Sequence, residues 1–246
     1  MIFNTIGDKV NRNVLLSCDH GLMIVNRFDC NHEKVGHGQW LLDHGNASTI
    51  EAFNCYNSIK DISAPVVFDI GANIGTFTSW IAKAFPRGKV YSFEPQRAVF
   101  QMLSGNVAIN NLYNVYTYNI GLGRENTKVE FEEPNYFQEN DFGTFSLVGD
   151  IITDKTTDKI VVQINTLDWF MEYYNIPKVH LLKIDVEGMD LDVLVGATKT
   201  LKKHFPIIFI EHFDNRKSII EDIKEFLDEF NYDYELIGNN VLCRPQ

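Results

Sequence analysis

"VVFDIGANIGTFTSWIAKAF", Val66 to Phe85, is the stretch on which the fold turns. Val66-Val67-Phe68 is a short apolar run that ends in a carboxylate, Asp69. A turn bearing Gly71 and Gly75 follows, and then a run with apolar residues at helical spacing. Strand, glycine turn and helix in that order form the opening unit of an open α/β sheet, and the turn is that sheet's usual ligand crevice. Glycines there let the backbone approach a ligand closely or take positive φ.

Working outward, the same alternation runs on from Ala64. Strands are expected at 66–70, 89–93, 114–120, 179–184, 206–211 and 240–243, and helices at 75–85, 95–111, 167–174, 190–204 and 216–230. Strands apolar on both faces, alternating with helices, predict an α/β fold with a doubly wound, mainly parallel sheet. Residues 124–166 break the rhythm. "KVEFEEPN" and "KIVVQIN" alternate apolar with polar residues, which predicts an antiparallel insertion around a mobile loop. Upstream, "NVLLSCDHGLMIVNRF" reads as a hairpin turning at Asp19-His20-Gly21, "CNHEKVGHGQW" as loop, and "NASTIEAFNCYNSIKD" as a helix capped by Ser48 or Thr49. Residues 1–62 are thus an N-terminal extension, too small to fold alone, on a ligand-binding domain at 63–246.

The composition sets limits. A chain of 246 residues with 45% hydrophobic and 22% charged residues can bury a sizeable core. A formal charge of −11 argues against a nucleic-acid or anionic-membrane partner. Cys18, Cys30, Cys55 and Cys243 form no CxxC pair and no disulfide framework, which suits a reducing compartment. With no signal-peptide pattern at the start and no membrane-length apolar run, the expected location is the cytoplasm.

Asp69 discriminates among ligands for the turn. Neither G-x-G-x-x-G nor a P-loop Gly-Lys-Ser/Thr is present. A pyrophosphate would be repelled by a neighbouring carboxylate, whereas a ligand bearing an ammonium would be attracted. S-adenosylmethionine carries an ammonium, a carboxylate and a sulfonium, and no phosphate. "KVYSFEP" then ends the next strand at Glu94, placed to accept from both ribose hydroxyls. Together these residues favour S-adenosylmethionine over a nicotinamide dinucleotide.

The blocks "FDIGANIGTFTSWIA", "VYSFEP", "LSGNVAINN", "NTLDWF", "LLKIDVEGMDLDVLVGA" and "PIIFIEH" resemble, in order, those of the FkbM-type S-adenosylmethionine-dependent methyltransferases, over about Glu51 to Glu211. The resemblance implies a class I methyltransferase fold, seven strands with one reversed strand at the edge. It also implies O-methylation of a sugar, glycan or secondary-metabolite hydroxyl. It would make Asp69, Gly71, Ala72, Asn73, Gly75 and Thr76 the methionine-binding turn and put Glu94, beside Pro95, on the ribose. Ile120 and Gly121 would flank the adenine, with backbone or Asn119 in place of the common carboxylate. Glu51 would face the cofactor from the preceding helix. Met189-Asp190-Leu191-Asp192 stands where the family shows Ala-Glu and another acid.

A hydroxyl acceptor needs a general base or a metal. Asp185, Glu187, Glu211 and His212, at two strand ends, are the base candidates, with Asp185 also beside the cofactor. Asp185, Glu187 and Glu211 could instead hold a divalent cation. Lys183 reads as a solvated strand residue and Glu187, on its bland reading, as a helix cap. His180 and His204 read as surface or satisfied histidines. His32, His37 and His44 near Cys30 fit no ligand set. Phe28, Trp40 and Tyr56 read as core, with an entrance wall as the alternative. N-methylation of an amine, a nucleotide-dependent oxidoreductase and a non-catalytic binding module are the competing functions. A homo-oligomer is compatible with the exposed sheet edges of such a fold.

Overall fold

The computed structural model describes residues 11–29, 36–143, 159–211 and 217–246. His212, Cys30, His32 and residues 144–158 of the expected 124–166 insertion lie outside the described residues. The chain opens with β1 (Asn13–Cys18) and β2 (Gly21–Asn26), an antiparallel hairpin. Then come α1 (His37–His44), α2 (Thr49–Ile59), β3 (Val66–Ile70), α3 (Thr76–Ala84), β4 (Lys89–Phe93), α4 (Arg97–Ile109) and β5 (Val115–Tyr118). A small second sheet takes β6 (Gly121–Leu122), β7 (Thr127–Glu132) and β8 (Lys159–Asn165). The chain ends with α5 (Leu167–Tyr173), β9 (Leu181–Ile184), α6 (Asp190–Val195), α7 (Thr198–His204), β10 (Ile207–Glu211), α8 (Lys217–Asp228), β11 (Tyr232–Ile237) and β12 (Asn240–Pro245).

The main sheet has seven strands in the order β11-β12-β10-β9-β3-β4-β5. β5, β4, β3, β9 and β10 are parallel neighbours, and β12 runs antiparallel to β10 and β11. The reversed strand therefore sits one place in from the edge, not at it. A tight turn with Gly238 at φ +60° lets β12 fold back from β11 and enter beside β10.

Side chains alternate across the sheet. Phe68, Phe93, Leu182, Ile184, Ile208 and Ile210 face α5, α6, α7 and α8. Val67, Val90, Leu181 and Phe209 face α2 and α3 on the other side. A third cluster joins Met23, Val25 and Leu41 of the N-terminal extension to Val99 and Met102 of α4. Asn106 of α4 ties in the hairpin, with its Oδ1 accepting from Ile24 N at 2.5 Å and its Nδ2 donating to Ile74 O at 2.8 Å.

Four differences from the sequence reading have local causes. Part of the expected loop at 30–40 is helix α1. The helix expected at 190–204 breaks at Gly196, where the chain passes so close to Gly123 O that no side chain fits, and Asp168 takes up the Gly196 carbonyl and the first amides of α7. The strand expected at 114–120 stops at Tyr118, because the Asn119 side chain turns back to the Glu94 and Pro95 carbonyls. Edge strand β11 went unpredicted; four of its six residues are exposed, so it carries no buried alternation. Among the described residues no helix is long and apolar enough to cross a membrane.

Candidate functional site

The turn after β3 is built by backbone geometry. Gly71, Asn73 and Gly75 all have positive φ (79°, 50° and 89°). Gly71 N and Ala72 N both donate to Phe93 O, at 3.0 and 2.9 Å, which seats the turn on the end of β4. A Cβ at Gly71 would collide with the Asp185 carbonyl oxygen, so only glycine lets the turn pass the end of β9. Glu94 closes the ring. Its Oε2 accepts from Asn73 N at 3.0 Å and its Oε1 from Gln96 N at 2.8 Å. Glu94 is 4% exposed, and burial pushes its carboxyl up to about 7 even though both amides favour the charged form.

Two clefts open at this end of the sheet. The first, open to solvent, spans about 990 Å³ between the turn, Glu94, the Ile120-Gly121-Leu122 strand end and the segment after β9. The second, also open to solvent, spans about 950 Å³ on the α1–α2 side. His37, Asp185 and Glu211 line both, so the clefts meet at these three side chains.

The meeting point is a charge network. Lys183 Nζ lies 3.0 Å from Asp185 Oδ2, 3.2 Å from Gly71 O and 3.4 Å from Asp69 Oδ1. Lys183 is 8% exposed, so it is a buried ion-pair partner, not the solvated strand residue that the sequence suggested. Burial works against its charge, but Asp185 and then Asp69 hold the ammonium above its ordinary range. Burial would likewise raise Asp185. Lys183 and a hydrogen bond from Glu211 carry it below the usual carboxylate value instead. Glu211 shows the opposite shift: burial and the neighbouring Asp185 push it up to about 10. The pair thus holds one proton on Glu211 and one negative charge on Asp185 at neutral pH. Asp185, Glu187 and Glu211 offer oxygens within 4.8 Å of one another, which could take a divalent cation only by displacing that proton and loosening Lys183.

Gly71, Asn73, Glu94, Pro95, Ile120, Gly121 and Asp185 line the first cleft together, with Glu187 and Glu211. Asp69 does not. Asp69 alternates with Phe68 and points with Val67 toward α3, where Thr78 Oγ1 donates to it at 2.5 Å. Its register partner across the sheet is Lys183. Paired with Lys183 and away from the lining, Asp69 does not set the charge that a ligand meets in the first cleft, contrary to the sequence expectation. Ala72, Gly75 and Thr76 shape the turn from behind the lining; Thr76 Oγ1 bonds Ser48 Oγ at 3.0 Å. Ser48 does stand at the start of α2, but its side chain makes no cap bond. Glu51 lies in the second cleft instead of the first. Asn119 holds two carbonyls and does not line the first cleft. His180 and His204 are satisfied as expected, accepting from Val66 N and Val179 N. Phe28 and Tyr56 pack against core clusters, whereas Trp40 stands on the second cleft.

His37, which the sequence reading grouped with His32 and His44 as fitting no ligand set, lines both clefts. Its Nδ1 lies 3.2 Å from Asn73 Nδ2 and its Nε2 lies 3.4 Å from Ser48 Oγ. Because Asn73 Oδ1 accepts from Ile74 N, the Asn73 amide presents its N–H to the imidazole. Gln96 was also missed. Its Nε2 donates to Phe142 O at 2.9 Å and fixes the loop that closes the first cleft.

The model of the methyltransferase FkbM domain matches residues 69–234, well over half of the chain. The chain belongs to the FkbM methyltransferase family. The FkbM match starts and ends later than the Glu51–Glu211 span read from the sequence. "Methyltransferase 1" of Beauveria bassiana is 28% identical over 158 residues, covering 58% of this chain and 62% of its own length. The hexuronic acid methyltransferase AglP of Haloferax volcanii is 27% identical over 161 residues, covering 65% and 62%. Each match thus spans about three fifths of the relative. The FkbM methyltransferase structure from Methylobacillus flagellatus superimposes with a TM-score of 0.55 at 16% identity, covering 74% of this chain and 44% of that one. That likeness shows the shared FkbM fold.

Proposed function

We propose that this protein is an S-adenosylmethionine-dependent O-methyltransferase acting on a hydroxyl of a sugar, glycan or secondary metabolite. The carrying observation is the charge of the first cleft. Among its described lining residues there is no lysine or arginine, while Glu94, Asp141, Asp185, Glu187 and Glu211 all line it. Among these described residues a pyrophosphate would find no lysine or arginine, whereas a sulfonium and an ammonium would find the charged Asp185. The donor set fits the cofactor in other respects. Glu94, fixed by two backbone amides, is set to accept from ribose hydroxyls, and the Gly71 cradle leaves backbone room for the amino-acid end.

When bound, S-adenosylmethionine supplies an electrophilic methyl group. The chain's own residues handle the acceptor's proton. Asp185, charged and held by Lys183, orients the hydroxyl and receives its proton. Glu211 keeps its proton and steadies Asp185 by hydrogen bonding. The family relative named for hexuronic acid fits an oxygen acceptor.

Thermal unfolding with S-adenosylhomocysteine, S-adenosylmethionine and NAD in parallel tests the cofactor. At one hundred times its dissociation constant a ligand adds about 2.7 kcal/mol. A shift with both adenosyl ligands and none with NAD is expected. A shift with NAD alone sinks the proposal.

A further inference from the structure

The second cleft has a character of its own. Trp40 stands at its mouth, 45% exposed, with one face stacked on His44 at a centroid distance of 4.1 Å and an interplanar angle of 21°. Asn46, Glu51 and Asn240 line its walls, and His37, Asp185 and Glu211 connect it to the first cleft. An aromatic ring beside amide and carboxylate groups suits a ligand with an apolar ring face and a hydroxylated edge. The cleft also has a definite charge. Lys183 is the sole lysine or arginine among its described lining residues, and it is already held between Asp69 and Asp185. Glu51 and Asp185 leave the space negative. Among the described lining residues, a carboxylate-bearing acceptor would meet Glu51 and Asp185 with no lysine or arginine left over to pair it.

We infer that the second cleft is the acceptor subsite and that it takes an uncharged, hydroxylated sugar ring, with Trp40 as platform and Glu51 as the residue that rejects acidic sugars. This rests on the methyltransferase reading and narrows it: the chain differs in acceptor charge from its relative named for hexuronic acid. The hydroxyl presented from this cleft arrives at Asp185, where the two clefts join.

The test uses the whole protein saturated with S-adenosylhomocysteine. Methyl pyranosides of neutral sugars and the matching methyl glucuronides are titrated in, with saturation-transfer NMR as the readout. Neutral pyranosides should bind. Trp40→Ala should weaken them at least about fivefold, and Trp40→Phe should restore most of the loss. Glu51→Gln should admit the glucuronides. S-adenosylhomocysteine affinity, by calorimetry, should stay within about twofold in all three variants, below 0.5 kcal/mol. Glucuronides binding the wild-type protein as well as neutral sugars would overturn the inference, as would binding by neither class. So would a large loss of S-adenosylhomocysteine affinity in Trp40→Ala or Glu51→Gln, because the cleft would then belong to the cofactor. If wild-type protein fails to bind S-adenosylhomocysteine, the cofactor reading falls, and the same sugar titration on the protein alone still judges the subsite.

Discussion

At the scale of single residues, Glu94 and the Asp185–Glu211 pair carry the sharpest expectations. Glu94 is raised from 4.5 to about 7 by burial. A group raised in the folded state contributes stability that is complete below about 4.5 and is lost as pH climbs through about 7, here a change of about 3 kcal/mol. Ribose hydroxyls need the charged form, so S-adenosylhomocysteine affinity should rise with pH through the same window. Calorimetry at pH 6 and pH 8 measures this. Glu94→Gln should flatten the dependence and cost about tenfold to a hundredfold in affinity at pH 8; a slope that survives in the variant would relieve Glu94 of its role. In the pair, charge and proton are divided. Asp185→Asn removes the charge and should lower kcat by about a hundredfold or more. Glu211→Gln keeps an N–H donor toward Asp185 and should stay within about tenfold. In the wild-type enzyme the rate should hold until the pH nears about 10, where Glu211 ionises and repels Asp185. Equal losses in the two variants would refute the division. The place of Glu94 was legible in the sequence, because the residue that follows β4 must stand beside the turn that follows its neighbour β3. The Asp69–Lys183 pair was only half legible. Alternation puts both side chains on one face, but that β3 lies beside β9 is decided by the sheet.

Individual elements show why the N-terminal wall of the site stayed hidden. α1 carries His37, yet no helix signal stands at its start; its N-cap is Gly36, with no side-chain bond. The helix is fixed from outside by Asp29, whose Oδ2 accepts from Gly38 N at 2.7 Å and whose Oδ1 accepts from Phe142 N at 3.0 Å. One buried carboxylate therefore holds both α1 and the loop before residue 144, and no local pattern announces a contact across such a separation. Burial raises its pKa, and the two amides pull the other way. Asp29→Ala leaves both donors without an acceptor and should cost about 2–4 kcal/mol. Hydrogen exchange should quicken over 37–44 and 141–143 while β3 and β9 stay protected. Unchanged protection in α1 would mean that its seating does not depend on Asp29. The long apolar strands and helices α3, α4, α5 and α8 were legible throughout, since each reports its own buried face. The break between α6 and α7 was not, because the approach of Gly123 that forces it comes from another part of the chain.

Across the whole molecule, the N-terminal extension shares its core with the sheet domain. Met23, Val25 and Leu41 pack with Ile74, Val99 and Met102, while Ala52, Cys55 and Ile59 of α2 pack with Phe77 and Ile81 of α3. Neither group has a core to itself, so the described chain should unfold in one cooperative transition. Each buried aliphatic or aromatic side chain is worth about 1.5–3 kcal/mol, and a domain's total stability is only about 5–15 kcal/mol. Removing residues 1–62 strips several such side chains from both clusters at once, which exceeds that margin. It also removes His37, Trp40 and Glu51 from the two clefts. The shortened chain should therefore show no cooperative melt by calorimetry and no S-adenosylhomocysteine binding. Two separate transitions in the full chain, or a shortened chain that melts cooperatively, would make the extension an independent attachment. In that case the clefts would be formed by docking, and affinity would fall with the length and freedom of the connection. The shared clusters argue for the first outcome, because a docked lid would keep a hydrophobic core of its own.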